Sequence, residues 1–202
     1  MARYTGPRSK ISRRFGVPIY GPSKALERRN FPPGVHGPKN RRKQSEYGVA
    51  LGEKQKLKHM YGILERQFRR YYEAAVRKRG DTGETMLQML ETRLDNVVFR
   101  LGFATTRRLA RQMVTHGHIR LNGRSATTPS ALVKVGDVIE VKDKPKSRRL
   151  ATFSLEASSL TPVPSWLTLD KDAFKGTVAR IPSREEIAPI VNERLVVELY
   201  SR

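Results

Sequence analysis

Residues 91–141, ETRLDNVVFRLGFATTRRLARQMVTHGHIRLNGRSATTPSALVKVGDVIEV, carry the clearest pattern in the chain. Leu94, Val97, Val98 and Leu101 recur at steps of three and four, so they share one apolar face of a short helix. Gly102 ends that helix, since glycine takes the left-handed geometry of a helix stop without steric cost. Thr105 or Thr106 caps a second helix, in which Leu109 and Met113 face inward while Arg107, Arg108 and Arg111 cannot all do so. Gly117 stops it. Ile119 and Leu121 then alternate with polar neighbours, Asn122-Gly123 marks a tight hairpin, and Gly136-Asp137 opens a last strand, Val138–Val141.

Outward from this stretch, charge bounds the partner. The chain has 202 residues, with 40 Lys or Arg against 19 Asp or Glu and a formal net charge of +21. Such a surface attracts polyanions. Residues 1–80 hold 21 of the basic residues and 5 of the acidic ones, so most of the electrostatic footprint is N-terminal. This length, with 38% hydrophobic residues, predicts one or two domains with a modest core. No apolar run approaches the roughly 20 residues of a membrane-spanning helix. MARYTGPRSK lacks the apolar core of a signal peptide, so a cytoplasmic location without membrane contact is expected. Cysteine is absent, which removes disulfides and thiolate metal sites.

Residues 1–46 read as a basic arm rich in Gly and Pro, with too little apolar periodicity to order itself alone. Arg3, Arg8, Lys10, Arg13 and Arg14 are spaced to touch phosphates along an extended path. Tyr4, Phe15 and Tyr20 are interleaved to stack on bases or pack on the domain, and Pro32-Pro33-Gly34 predicts a fixed turn. From Val49 to Arg79 the pattern predicts one long helix, with Leu57, Tyr61, Leu64, Phe68, Tyr72 and Ala75 as its inward stripe. Lys54, Lys58, Arg66, Arg69 and Arg70 lie off that stripe. They form either a solvated face or, with few balancing glutamates, a nucleic-acid contact. Gly80 to Gly83 breaks the pattern before a helix over 84–90.

Beyond the quoted stretch, KDKPKSRR (142–149) reads as a polar basic loop, and 150–160 is weakly patterned and compatible with helix. Trp166, Leu167 and Leu169 suggest a strand, Lys175-Gly176 a turn, and Val178 with Ile181 a returning strand. Ser183 and Glu186 have capping-box spacing. In 192–200, Leu195, Val196 and Leu199 share a helical face, though a strand is also compatible, and this tail is expected to pack back on the N-terminal helices.

RLDNVVFRLGFATTRRLARQMVTHGHIRLNG and its GDVIEV close resemble the RNA-binding module of the small-subunit ribosomal protein four family. MARYTGPRSKISRR, PPGVHG, SEYG, EKQKLK, YGILERQFRRYY and NERLVVELYSR extend the resemblance to the bacterial form over essentially the whole chain. The resemblance implies an α+β fold: a basic N-terminal arm and helical domain, plus an inserted module of two helices packed on a small antiparallel sheet. The expected division is 1–46 for the arm and 47–90 for the helical domain, with 184–202 packing back on it. Residues 91–183 form a second domain containing the module, 91–143. Many family members hold zinc on N-terminal cysteines. His36 alone cannot hold a metal, so the resemblance implies the zinc-free form, with no cofactor.

The resemblance also implies a structural constituent of the small subunit that binds the 5′ domain of its rRNA and nucleates assembly. It implies a place near the channel by which mRNA enters, beside ribosomal proteins five and three, and a role in translational accuracy. Its rRNA contacts would be the arm and helix cations named above with Tyr4, then Arg107, Arg108, Arg111, His116 and Asn122. Lys39, Arg41, Arg42 and Lys43 would grip either mRNA at the entrance or rRNA.

Catalysis finds little support. There is no Gly-x-x-x-x-Gly-Lys loop, no Gly-x-Ser-x-Gly elbow and no cysteine nucleophile. His36, His59, His116 and His118 are scattered, and the last two lack further metal ligands. Glu185-Glu186 fits helix capping better than acid–base work. The alternatives are a fragment of an RNA-modifying or tRNA-charging enzyme carrying the same module, and a strand-opening factor without ATP hydrolysis.

Overall fold

The computed structural model describes residues 4–38, 44–158, 162–187 and 191–201. Arg3 and the Lys39, Arg41, Arg42, Lys43 cluster lie outside them. The fold is α+β, and the chain divides into two compact units, Met1–Gly83 with Pro189–Arg202, and Glu84–Ala188.

In the first unit the arm is not an extended path. Residues Arg8–Phe15 form helix α1, which ends at Gly16 with φ 67°, and Lys24–Arg28 form α2, which packs on it. Ile11 and Phe15, four apart, supply a local apolar pair that the basic residues around them obscure. The Pro32–Gly37 turn is tight. A Cβ on Gly37 would lie 1.9 Å from the Pro32 carbonyl oxygen, so only glycine fits.

The single helix expected over 49–79 is two: α3, Glu46–Tyr61, and α4, Glu65–Val76. Gly62 separates them at φ 64°, its N–H turned back to the carbonyls of Lys58 and His59. The break shifts the inward phase. Ile63 is buried, and Leu64, placed on the stripe by an unbroken 3.6-residue period, is exposed as the N-cap of α4. Leu57, Tyr61, Phe68 and Ala75 do face inward. The final segment is a helix, α9, Glu193–Ser201, and it packs along α3. Its Tyr200 stacks on Phe68 and Tyr72, with ring centroids 6.0 and 4.8 Å apart.

The second unit opens with α5, which runs Thr82–Glu91 across the division between units, then α6, Leu94–Arg100, and α7, Arg107–Thr115, which pack on each other. Gly102 at φ 81° and Gly117 at φ 71° stop α6 and α7, and Thr106 supplies the cap, accepting from the Leu109 N–H. The strands are β1 (Ile119–Leu121), β2 (Arg124–Ser125), β3 (Val138–Val141), β4 (Leu167–Asp170) and β5 (Lys175–Val178). They form one antiparallel sheet in the order β2-β1-β3-β5-β4. Asn122 and Gly123, both at positive φ, make the two-residue hairpin between β1 and β2. The core holds Leu94, Val97, Val98 and Leu101 of α6, Met113 and Val114 of α7, and Ile119, Ile139 and Trp166 of the sheet side.

Two local expectations fail here. KDKPKSRR is not all loop, because Pro145 takes the first position of helix α8, Pro145–Ala157, where its missing N–H costs nothing. Lys175-Gly176 is not a turn but part of β5, and Ile181 lies beyond that strand, exposed. The turn is Lys171–Phe174, where Asp170 Oδ1 accepts from the Asp172 and Ala173 N–H groups at 3.1 and 3.0 Å. Gly176 is needed for packing: a Cβ there would lie 2.5 Å from Leu101 Cδ2. Gly176→Ala should therefore lower stability by about 1–3 kcal/mol, as expected for an overpacked core. Urea unfolding followed by the fluorescence of Trp166, which sits in the same core, reads this; a change under 0.5 kcal/mol or so, the size of a neutral surface substitution, would mean Leu101 yields freely.

Candidate nucleic-acid interface

The cations of the first unit separate into internal and outward groups. Arg8, Lys10 and Arg14 of α1 are exposed. Arg13 turns inward, donating from Nε to the Phe31 carbonyl at 3.1 Å and from Nη2 to the Pro32 carbonyl at 3.3 Å, with its guanidinium over the Phe31 ring. Tyr4 and Tyr20 both meet His59, Tyr4 edge-on at 5.0 Å and Tyr20 through a 2.9 Å hydrogen bond to Nδ1. Burial, then Lys58 and Arg14, lower the His59 pKa, so the ring is neutral at pH 7.

On α3, Lys54 and Lys58 are half-buried and reach Glu65 at 2.8 and 3.3 Å, and Lys54 also lies over the Tyr200 ring. Tyr200 donates its hydroxyl to the same carboxylate at 2.7 Å. Burial raises the Glu65 pKa, but bonds from Lys54, Tyr200 and Lys58 outweigh it and leave the carboxyl below its ordinary value. Arg66, Arg69 and Arg70 of α4 are exposed on neighbouring turns, and Arg69 also reaches Glu73 at 3.2 Å. The exposed cations of this unit thus include those of α1 and α4.

In the second unit, α6 and α7 meet over buried carboxylates. Glu91 binds Arg100 through two contacts, at 2.7 and 3.0 Å, and accepts from Asn96 Nδ2 at 2.6 Å. Asn96 Oδ1 accepts from Arg107 Nε at 2.7 Å, and the Arg107 guanidinium lies 4.6 Å from the Phe99 ring centre. Asp95 takes both a fork from the fully buried Arg93, at 2.6 and 2.9 Å, and Arg111 at 3.3 Å. Arg107 and Arg111 are therefore not exposed side chains indifferent to the fold; of the three α7 arginines only Arg108 is exposed. His116 is exposed at the hairpin mouth. Burial, then His116, Lys142 and Lys144, lower the pKa of His118, whose Nδ1 is 2.8 Å from Ser147 Oγ. Asn122 uses both amide atoms inside the sheet, accepting from the Val138 N–H and donating to Asp137, each at 2.8 Å. Glu186 closes the expected capping box on Ser183; bonds from Arg180, Ser165 and the Ser183 backbone hold its pKa down at about 2.

Among the described residues, no helix is long and apolar enough to cross a membrane, and no group of three or more His, Asp or Glu is placed to hold a metal.

Residues 3–91 match the family model for the ribosomal protein S4/S9 N-terminal domain, and residues 92–139 match that of the S4 domain. The small ribosomal subunit protein uS4 of Akkermansia muciniphila is 58% identical, and that of Opitutus terrae is also 58% identical. That of Geobacillus stearothermophilus is 50% identical, and each comparison covers the whole of both chains. The chain belongs to the uS4 family.

It is a small-subunit ribosomal protein with an RNA-binding S4 domain. The two uS4 family models meet at residues 91 and 92, beside Glu91, whose carboxylate is joined to Arg100. Sequence reading missed the Glu91, Asp95, Asn96 cluster. The signal was present as three acidic or amide residues set among the leucines and valines at the end of α5 and the start of α6, where unpaired polar groups are costly.

The α7 arginines therefore separate in experiment. Arg111→Ala should lower stability by about 1–2 kcal/mol, because it removes one donor from a buried carboxylate. Arg108→Ala should leave stability within about 0.5 kcal/mol while weakening rRNA binding. Urea unfolding and filter binding of both variants read the difference; equal effects on stability would dissolve the distinction.

Proposed function

We propose that this uS4 chain is a primary binder of small-subunit rRNA, acting on the 5′ domain and nucleating assembly there. The observation that carries the reading is the whole-chain likeness to uS4 proteins, joined to cations exposed in both units. Arg8, Lys10 and Arg14 on the arm, Arg66, Arg69 and Arg70 on α4, and Arg108 with His116 on the module are its phosphate and sugar contacts. Arg107 and Arg111, held from behind by Asn96 and Asp95, set the α7 surface on which Arg108 is exposed. Arg3 joins the arm contacts on sequence grounds, and Arg13, Lys54, Lys58, Tyr4 and Asn122 shape the surface that the others present. The role is structural, without catalysis.

Footprinting on rRNA transcripts tests this. Protection of a multi-helix junction near the 5′ end is expected. With about eight phosphates neutralised, log affinity should fall against log salt with a slope of roughly −5 to −7. A slope near −1, or protection scattered over the transcript, would remove the reading.

The same reading places the protein beside ribosomal proteins five and three near the channel by which mRNA enters, with an influence on accuracy. Its support is the sequence alone: Lys39, Arg41, Arg42 and Lys43 follow the rigid Pro32–Gly37 turn with no acidic neighbour before Glu46. Such cations grip single strands by their phosphates without reading bases. Changing all four to Gln should leave subunit assembly nearly normal and slow translation through a stable hairpin placed at the entrance. Equal slowing of unstructured messages, or failed assembly, would instead make this cluster an rRNA clamp.

A further inference from the structure

Helix α8 is inside out. The side packed into the second unit carries Ser147, Ala151 and Ser154, all buried, while the solvent side carries Leu150 at 38% exposure and Phe153 at 67%. An ordinary amphipathic helix does the reverse. The small inner residues let α8 lie close to β3, and their hydroxyls are satisfied, Ser147 at His118 and Ser154 on the Leu150 carbonyl at 2.8 Å. Of the large apolar side chains of α8, Leu155 packs against the core, while Leu150 and Phe153 are left outward. Neighbouring exposed apolar residues rimmed by charge mark a binding surface.

The rim is cationic. Lys146, Arg149, Leu150 and Phe153 follow steps of three and four and share one face. Residues 142–149 hold five cations and one acid, Asp143, which pairs with Arg148 at 3.0 Å. Lys144, Lys146 and Arg149 are exposed, and the first turn of α8 has no acidic residue. The patch also continues the module's own surface. Ser147 Oγ is 2.8 Å from His118 Nδ1, and the His118 and His116 rings are 6.2 Å apart.

We propose that this face of α8 is a further RNA contact, in which Lys146 and Arg149 hold phosphates and Phe153 stacks on an unpaired base, with Leu150 packed beside it. The inference rests on the RNA-binding reading above and adds a site to it. RNA suits the face better than a protein does. An exposed phenyl ring accepts any base by stacking, and the exposed cations beside it suit phosphates.

The test uses the full chain on a transcript of the 5′ domain of small-subunit rRNA. Phe153→Ala should weaken binding about 5- to 100-fold, the loss expected for one base–aromatic stack, and should unprotect one unpaired base in a chemical footprint. Phe153→Trp should restore both. Lys146→Gln with Arg149→Gln should make the salt slope shallower by about 1.5. Because Phe153 is exposed, these variants should unfold at the wild-type urea concentration, followed at Trp166. If the wild type binds and all three variants match it in affinity, slope and footprint, the inference is overturned while the proposed function stands. If naked-RNA binding is unchanged but Phe153→Ala fails to enter assembled subunits, the face is a protein interface and the RNA proposal falls. If the wild type itself does not bind, both readings fall together.

Discussion

Glu91 and Asp95 are carboxylates buried among leucines and valines, and a buried charge persists only when paired and hydrogen-bonded. Each binds an arginine through two contacts, Arg100 for Glu91 and Arg93 for Asp95. Each also reaches α7, Glu91 through Asn96 to Arg107, and Asp95 directly to Arg111. The crossing of α6 and α7 is thereby fixed by directional bonds as well as by Leu94, Val98 and Met113. Apolar packing alone tolerates sliding, whereas a two-point arginine fork does not. The surface presented by the S4 domain depends on this arrangement, because these bonds set α7, which carries the exposed Arg108.

The first unit follows the same logic with a different acid. Glu65 stands at the break between α3 and α4 and gathers Lys54, Lys58 and the Tyr200 hydroxyl. Glu53 takes Lys56 and the Asn192 N–H, which ties the start of the final helical segment to α3. In a chain with twice as many bases as acids, the acids select. Glu65 draws Lys54 and Lys58 inward, the Phe31 and Pro32 carbonyls draw in Arg13, and other cations remain outward. Arg66 and Arg70 of α4, and Arg8, Lys10 and Arg14 of α1, are outward in this sense. Repulsion among them is the cost of such a surface, and a polyanion relieves it.

Helix α8 shows how packing and binding can be separated within one element. Ser147, Ala151 and Ser154 face inward with Leu155 beside the core, and the aromatic is left outside. Gly176 does the equivalent in β5, giving up a side chain so that Leu101 can fill the space. Both are positions where residue type follows from what approaches it, not from the element it belongs to.

The sequence by itself determined the short-range features. The α6 stripe, a threonine cap at 105 or 106, the Gly102 and Gly117 stops, the Asn122-Gly123 hairpin, β3 and the Ser183–Glu186 box all appear where their residues call for them, because each depends on neighbours within about four positions; the structure selects Thr106 as the cap. The net charge and its N-terminal bias were equally plain, and the uS4 likeness could be read from motifs. What only the tertiary structure decided was the use made of each charged side chain and of the phase-breaking positions. Arg107 and Arg108 are adjacent and chemically alike, yet the first turns in to Asn96, eleven residues away, and the second is exposed. Lys54 and Arg66 seemed equivalent until Glu65 and Tyr200 closed around the lysine. Gly62 lies inside the span expected as one helix, and the chain breaks there, with Ile63 rather than Leu64 in the buried place. A long, flexible cation carries no local signal of its destination, and pairing across ten or a hundred residues is settled only when the chain brings the acid to it.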